Sequence, residues 1–324
     1  MSVAVLKPGL LTTLQDRGRH GYAAFGVGHA GPMDEVALRL ANALVGNADE
    51  TAVLEITLTG PRLRFDTDAV IALTGADFDS RLGDAPFAGW RAVPVPAGTV
   101  LDLARARRGT RAYLAIAGGF RAAPVLGSAA TDVNAGLGAP LHGGEVLGIG
   151  QWASVPASRA TWSLDPRPWF DADPHRPIRL LRGRHFDALD ARSRAALFGA
   201  PFRIAADSNR VGYRLDGERL TLATPLEIVS EPLAFGTVQL PPGGQPIALM
   251  AEHPVTGGYP RIGQVAAVDL PRLAQRRPGD PLRFAEIGLD EAQTRYLRRE
   301  HELTQLLDAI TARLGRDRGR DGKD

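Results

Sequence analysis

Short apolar segments separated by glycine and proline constrain the fold of this chain more than any other feature. Its 324 residues include 37 glycines and 24 prolines. Short runs bounded by turn residues are typical of strands. The strands predicted in this way are residues 2–6, 52–58, 69–74, 99–103, 111–117, 178–182, 226–229, 237–240, 247–251 and 282–286. The sequence therefore predicts a β-dominated protein, and its length suits two domains.

A proline-rich stretch divides these strands into two sets. Residues 154–177 contain five prolines together with Trp162 and Trp169, and they show no periodicity. This composition is typical of a connector. We predict a first domain over residues 1–165, a connector over 166–177, a second domain over 178–288, and a C-terminal helix with a charged tail over 289–324.

Three segments have helical periodicity. The first begins after Asp34, a suitable N-cap, and ends before Gly46. A shorter helix covers about residues 186–198. The last is predicted over residues 290–314, and its apolar stripe consists of Tyr296, Leu303, Leu307, Ile310 and Leu314. We expect this stripe to dock on the second domain or on a partner protein.

Composition excludes several classes of chemistry. The chain has no cysteine, so disulfides, thiolate nucleophiles and cysteine metal sites are impossible. Its seven histidines show no metal-binding spacing, and we expect no metal. No apolar stretch is long enough for a membrane span, and the first residues do not resemble a secretory signal, so we expect a cytoplasmic protein. The net charge of +2 and a basic tail that alternates with acids do not indicate nucleic-acid binding.

Lysine usage limits the cofactors that this chain can hold alone. The only lysines are Lys7 and Lys323, and neither lies in the Gly-Lys-Ser/Thr context of a phosphate-binding loop. Neither lies in the hairpin context of a biotin acceptor. Any ATP or biotin chemistry must therefore be completed by another chain or by a site without a P-loop.

Two familiar motifs are rejected. Residues 26–31 match G-x-G-x-x-G before a helix, but no buried strand leads into them and Pro32 interrupts the turn. A dinucleotide site needs that strand and an alternating βαβ context. The sequence also lacks the G-x-S-x-G elbow of α/β-hydrolases.

Four polar clusters remain, and each has a structural alternative. They cover residues 12–19, 74–77, 206–213 and 252–259. Asp16 near Arg17 and Arg19 fits either a turn ion pair or a reactive carboxylate. Ser208 and Asn209 suit an Asx-type turn. Residues 256–258 suit either an anion-binding nest or a plain turn. The residues alone predict a polar site on loops of a β scaffold.

Taken in order, these clusters resemble one family. The matching segments are KPGLLTTLQDRGRHGY (7–22), GVGHAGPMD (26–34), ANALVGN (41–47), LEITLTGP (54–61), ALTGAD (72–77), YLAIAGG (113–119), SNRVGYRL (208–215), GTVQLPPGGQP (236–246) and TGGYPRIG (256–263). They resemble the biotin-dependent carboxyltransferase, or allophanate hydrolase subunit 2, family. The resemblance spans about residues 3–285.

The resemblance implies a mainly β fold of two cyclophilin-like β-barrel lobes with a few short helices and a C-terminal helix. For a stand-alone chain it implies one component of an ATP-dependent 5-oxoprolinase, inactive alone, with A-type and B-type partner proteins that share the ATP. Two alternatives are open within the family. One is a biotin-dependent carboxyltransferase acting on urea or a related amide with a carrier in trans. The other is a non-enzymatic regulatory binder of a kinase-inhibitor-like partner.

We predict that the polar clusters line a cleft between the lobes. Asp16 or His253 would assist proton transfer. The substrate-binding residues predicted are Gln15, Arg19, Ser208, Asn209, Arg210, Thr256, Gly257, Gly258 and Tyr259. Two segments depart from the family pattern, and both changes bear on the substrate more than on the fold. Ala129 stands where the family usually has arginine, and residues 252–254 are Glu-His-Pro rather than Asp-Ala-Gln.

Overall fold

The computed structural model describes residues 1–152 and 162–321, with side chains through residue 315. It is mainly β, with 33% strand and 20% helix, and its two large sheets are curled and nearly closed. This confirms the predicted fold class. The chain divides into two compact, discontinuous units. The first contains Met1–Arg19, Asp34–Asp171 and His301–Asp324, and the second contains His20–Met33 and Ala172–Glu300.

The first unit is built on a nine-stranded sheet. Its strands are β1 (Ser2–Lys7), β2 (Leu11–Gln15), β3 (Val53–Thr57), β4 (Arg62–Phe65), β5 (Ala69–Leu82), β6 (Ala85–Pro86), β7 (Val93–Val95), β8 (Val100–Ile116) and β9 (Val146–Gly148). The order is β2-β3-β8-β4-β1-β9, and β5 pairs with β6, β7 and β8. In β4 the apolar Leu63 and Phe65 are buried while Arg62 and Arg64, which alternate with them, are exposed, as the alternation of side chains along a strand requires.

Helix α1 (Glu35–Leu44) covers part of this sheet within the first unit. Oδ1 of Asp34 accepts a 3.0 Å hydrogen bond from the backbone nitrogen of Ala37, so the predicted N-cap is confirmed. The hydroxyl of Thr74 on β5 donates a 2.6 Å bond to the carbonyl of Ala37. Leu38, Ala41 and Leu44 of the helix are buried against apolar residues of the sheet.

The second unit contains an eight-stranded sheet and a two-stranded sheet. The strands are β10 (Ile178–Arg182), β11 (Phe202–Ile204), β12 (Gly212–Asp216), β13 (Glu231–Pro232), β14 (Thr237–Gln239), β15 (Ile247–Leu249), β16 (Thr256–Gly257), β17 (Arg261–Val265), β18 (Pro281–Leu282) and β19 (Phe284–Glu286). The larger sheet has the order β18-β11-β12-β15-β14-β17-β10-β19, and β13 pairs with β16. Helices α2 (Ala191–Gly199) and α3 (Leu270–Ala274) belong to this unit.

The C-terminal helix α4 spans Leu289–Asp321, beyond the predicted end at residue 314. In the second unit, Ala292 packs with Ala266 and Ile287. In the first unit, Leu303 and Ile310 are buried in a cluster with apolar residues of α1. The stripe was predicted to dock on the second domain or on a partner protein, and for these two residues that prediction is wrong. Periodicity marks an apolar face, but it does not identify the surface that covers it.

Some predicted strand boundaries are corrected. Residues 226–229 are not a strand; Val229 is 86% exposed, so this apolar run has no buried face to pair. The strands predicted at 99–103 and 111–117 are two parts of the single long strand β8, which covers Val100–Ile116, because the polar segment between them is also extended. Residues 282–286 include the last residue of β18 and all of β19. These two strands are separate, because β18 pairs with β11 and β19 pairs with β10. The predicted helix at 186–198 is a 3-10 turn at Phe186–Ala188 followed by α2.

The predicted domain boundaries stay predictions, and the compact units differ from them in being discontinuous. Residues 20–33 fall in the second unit and residues 301–324 in the first. Residues 153–161, within the predicted first domain and the proline-rich stretch, lie outside the described residues, as do residues 322–324 of the predicted tail. Trp162 and Trp169 are partly buried against the apolar cluster in which Leu303 and Ile310 of α4 pack with α1. In the described ranges, no helix has the length and apolar character needed to cross a membrane.

Candidate functional site

Strand β2 places the first predicted site residues in the first unit. Gln15, at its end, is fully buried; its Nε2 donates to the hydroxyl of Thr13 at 3.1 Å and to the carbonyl of Thr131 at 3.0 Å. Its Oε1 is buried with no hydrogen-bond partner among the described residues. Gln15 therefore ties β2 to the loop around residue 131 and leaves one acceptor unused.

Asp16 holds the same loop. Its carboxylate accepts three hydrogen bonds: from the backbone of Gly18 at 2.8 Å, the hydroxyl of Ser128 at 2.5 Å and the backbone of Ala129 at 2.6 Å. It is 9% exposed. Of the two sequence interpretations, the ion pair on the turn is not formed, since Arg17 pairs with Glu35 instead. The carboxylate positions residues 128–131, and its catalytic role stays a prediction.

Arg19 lies against the same loop and is only 4% exposed. Its Nε donates to the carbonyl of Val125 at 3.2 Å, and its Nη2 donates to the carbonyl of Ala130. Its Nη1 is buried with no partner among the described residues. Arg19 lines a cavity of about 210 Å³ whose walls come from residues 122–131 and 138–145 of the first unit.

In the second unit, Ser208 and Asn209 form the Asx-type turn that leads into β12. The side-chain oxygen of Asn209 accepts from the backbone of Val211 at 2.8 Å. The hydroxyl of Ser208 accepts from the backbone of Arg214 at 3.1 Å. Both polar side chains thus have local structural roles, and their contact with a substrate stays a prediction.

Arg210 and Glu252 form a buried ion pair in the second unit. Nε of Arg210 lies 2.6 Å from Oε1 of Glu252, and the two side chains are 3% and 1% exposed. Nη2 of Arg210 donates to the carbonyl of Gly31 at 2.6 Å. Removal of either charge would leave the other buried and uncompensated. The pair fixes the start of the predicted 252–259 cluster.

Thr256 and Gly257 are extended and Tyr259 lies in a bend, so the predicted nest at residues 256–258 is not formed. Thr256 and Gly257 make up strand β16 and pair with Pro232 and Glu231 of β13. Gly257 and Gly258 are not among the positive-φ glycines, which a nest requires. Tyr259 follows and is 46% exposed.

His253 lies between the ion pair and strand β16. Its Nδ1 is 2.8 Å from the carbonyl oxygen of Pro254. A carbonyl only accepts, so Nδ1 is the donor in this contact. Nε2 has no hydrogen-bond partner in the part of the chain that the structure describes.

The predicted residues thus form two groups. Gln15, Asp16 and Arg19 meet in the first unit, and Ser208 to Arg210 lie in the second with His253 and residues 256–259. The arrangement of both groups along one cleft stays a prediction. Sequence reasoning missed Ser128 as the partner of Asp16, although it lies in the segment where the family pattern usually reads Gly-Ser-Arg-Ser-Thr.

A larger cavity of about 650 Å³ in the first unit was also missed. It is lined by the 74–77 cluster's Asp77 and by aromatic side chains that include Trp90 and Phe170. The guanidinium of Arg108 lies over the ring of Phe170, 5.4 Å from its centroid. The arginines of β8 are the sequence signal that could have indicated this cavity. Exposed arginines on a strand are, however, equally typical of a strand that faces solvent.

Among the described residues no lysine stands in a phosphate-binding or biotin-acceptor context, and the expectations for ATP and biotin stay predictions. Lys7 lies on β1, paired with Arg62 of β4, and not at a hairpin turn. Lys323 lies outside the described residues. Across residues 1–152 and 162–321, no group of three or more histidine or carboxylate side chains is placed to hold a metal ion such as Mg²⁺.

Comparison with known proteins agrees with this fold. The family model described as "Carboxyltransferase domain, subdomain A and B" matches residues 25–286. The chain is 41% identical over 293 residues to the C subunit of 5-oxoprolinase from Escherichia coli (strain K12), covering 89% of this chain and 92% of that relative. It is 39% identical to the same subunit of the Haemophilus influenzae 5-oxoprolinase, covering 90% of this chain and 92% of the relative.

A solved structure shows the same fold. The crystal structure of the Kluyveromyces lactis urea carboxylase has a TM-score of 0.86 and 29% identity, and the match covers 95% of this chain but 29% of that one. The chain belongs to the carboxyltransferase-domain family. Among the relatives described above, the two that it matches over nearly their full length are subunits of a hydrolase, 5-oxoprolinase.

Proposed function

We propose that this chain is one component of an ATP-dependent 5-oxoprolinase that opens the lactam of 5-oxoproline to L-glutamate with an A-type and a B-type partner protein. The observation that carries the proposal is its similarity to the C subunit of the E. coli 5-oxoprolinase, at 41% identity over 92% of that relative. The urea carboxylase match is lower in identity and covers a minor part of a much longer protein.

Lactam opening sets the chemistry that the site must support. Oxygen from water adds to the ring carbonyl carbon, the carbon–nitrogen bond breaks, and the released nitrogen takes up a proton. Such a reaction needs donors for the developing oxyanion and a group that moves a proton. Nε2 of His253 is suited to proton transfer, because Nδ1 is held at the carbonyl of Pro254. Asp16 would act by positioning the Ser128 loop.

The remaining parts of the reaction belong to partners. ATP would bind on a partner or on a surface shared with one, because this chain offers no phosphate-binding lysine. Biotin would not be attached to this chain. We place the protein in the cytoplasm as one component of a hetero-oligomer, inactive alone.

The test is an omission experiment. The chain is co-expressed with the products of neighbouring genes that resemble the A and B components of 5-oxoprolinase, and glutamate release from 5-oxoproline is measured with and without ATP. Glutamate should form only when all three proteins and ATP are present. No ATP-dependent glutamate from the complete mixture would reject the proposal.

The structural match to urea carboxylase favours one second candidate. In it, the chain transfers CO₂ from carboxybiotin on a carrier protein in trans to urea or a related amide. The same preparation is supplied with a carboxylated biotin carrier and urea, and loss of carboxybiotin is followed. Urea-dependent loss that requires this chain would support the candidate, and no loss would reject it.

A further inference from the structure

In the described part of the chain Arg19 has no acidic partner, unlike the buried arginines Arg210 and Arg111. Arg210 lies 2.6 Å from Glu252, and Arg111 lies 3.7 Å from Glu55. Arg19 is as deeply buried, at 4% exposure. Its hydrogen bonds go to two backbone carbonyls, and no carboxylate lies within ion-pair distance of it among the described residues.

A buried cation needs compensation. Charged groups are almost never fully buried unless they are paired, because the interior solvates charge poorly. The two carbonyls supply partial negative charge only, and Nη1 has no partner in the described part of the chain. The side chain is therefore held in place by the loop of residues 125–130 while Nη1 stays unused. This arrangement suits a group that receives a negatively charged ligand.

The cavity beside Arg19 limits the size of that ligand. Its volume of about 210 Å³ is below the roughly 300–1,000 Å³ of pockets that hold drug-sized molecules. Small side chains, including those of Ala123, Ala129 and Pro140, form much of its wall. The ligand should therefore be small, with an apolar body of a few carbon atoms.

Other charged groups near the cavity decide which anion fits. Glu145 also lines it, and its side chain is 31% exposed beside the more exposed His142. Asp16 does not line the cavity, and its carboxylate is engaged by three donors, the backbone of Gly18 and two groups of the loop at residues 128–129. A cavity lined by one arginine and one glutamate suits a singly charged anion, whereas a phosphate dianion would need further donors. The planar guanidinium group of arginine can donate two parallel hydrogen bonds to the two oxygens of a carboxylate.

We propose that the cavity beside Arg19 binds a small monocarboxylate, with the carboxylate on the guanidinium of Arg19 and the rest of the molecule against the alanine-lined wall. The proposal deepens the proposed function and rests on it only for the identity of the ligand, since 5-oxoproline is a molecule of this class. The site lies wholly within the first unit, so the chain alone should bind the ligand.

The test is a binding measurement on the full chain without partners or ATP. Isothermal titration calorimetry is run with 5-oxoproline, with pyrrolidin-2-one, which is the same ring without the carboxylate, and with inorganic phosphate. We expect 5-oxoproline to bind at least tenfold more tightly than the other two. Equal affinity for pyrrolidin-2-one, tighter binding of phosphate, or no binding of 5-oxoproline would overturn the proposal.

Substitutions locate the site. Arg19→Met should weaken 5-oxoproline binding at least tenfold, and Arg17→Met is the matched control, because Arg17 is exposed and paired with Glu35; its affinity should stay within twofold of the unmodified chain. Ala129→Leu fills the cavity while leaving Arg19 intact, and it should also weaken binding at least tenfold. If Arg19→Met does not fold, the affinity of Ala129→Leu for 5-oxoproline tests the site in its place. Unchanged affinity in a folded Arg19→Met or in Ala129→Leu would refute the site.

The 5-oxoprolinase function and the carboxylate site at Arg19 can be rejected independently of each other. Carboxylate binding that depends on Arg19, with no glutamate from the complete enzyme mixture, would keep the anion site and reject the 5-oxoprolinase function. Glutamate formation by the mixture, without Arg19-dependent binding of 5-oxoproline to this chain, would keep the function and reject the site.

Discussion

The hydroxyl of Tyr113 on β8 donates a 2.7 Å hydrogen bond to Oε2 of Glu55 on β3. The same hydroxyl accepts a 2.7 Å bond from the backbone nitrogen of Asp34, the cap of α1. Nε of Arg111 lies 3.7 Å from the other oxygen of Glu55. All four residues are buried. One phenol thus connects two strands of the first unit to the start of its helix.

Tyr113→Phe should lower the free energy of unfolding by about 1–3 kcal/mol, because it removes the hydrogen bond that the phenol donates to a buried carboxylate and the one that it accepts from a buried backbone N–H. Chemical denaturation measures the change. Tyr296→Phe is the control, since Tyr296 is 38% exposed on α4, and it should change stability by less than about 0.5 kcal/mol. Equal effects of the two substitutions would contradict this role for Tyr113.

Stability should also fall at alkaline pH because of Tyr113. Burial, and then the negative charge of Glu55, raise the pKa of the Tyr113 phenol well above its ordinary value. The unfolded chain loses this proton near pH 10, while the folded protein retains it. The stabilisation is therefore complete below about pH 10 and declines as pH rises above it. Denaturation curves from pH 8 to 11 should show a smaller decline for Tyr113→Phe, and identical declines would contradict the assignment.

Gly75, inside the Thr74–Asp77 cluster, should not tolerate a side chain. Its φ is +81°, and an added Cβ would lie 2.5 Å from the carbonyl oxygen of Arg111. Gly75→Ala should cost about 2–5 kcal/mol, from left-handed strain and from overpacking. Gly98 has the same φ of +81° with open space around it, so Gly98→Ala should cost about 1–2 kcal/mol. Equal costs in thermal or chemical denaturation would show that the close contact is unimportant.

The C-terminal helix should stabilise the first unit through Leu303, which is fully buried with Leu40 of α1. Leu303→Asp should lower the free energy of unfolding by at least about 3 kcal/mol, since it removes apolar packing and buries a charge. Leu297→Asp is the matched control on the same helix, because Leu297 is 65% exposed. A Leu303→Asp protein as stable as Leu297→Asp would show that the packing contributes little.

The sequence predicted the class of fold, the α1 cap and most strands from local patterns. It could not predict which elements pair over long distances: β8 was predicted as two strands because Arg105, Arg107 and Arg108 interrupt its apolar ends. It selected Gln15, Asp16 and Arg19 as polar neighbours, but not the loop around Ser128 that binds them, since those residues are more than a hundred positions away. That Arg19 meets no acidic partner among the described residues is a property of tertiary structure alone.

The most direct test of the proposed function follows the lactam itself. The lactam carbonyl of 5-oxoproline is labelled with ¹³C and observed by NMR in a mixture of this chain, its two partners and ATP. We predict that the lactam signal is replaced by the signal of the γ-carboxylate of glutamate, and only when this chain is present. Conversion at the same rate without this chain, or no conversion in the complete mixture, would contradict the account.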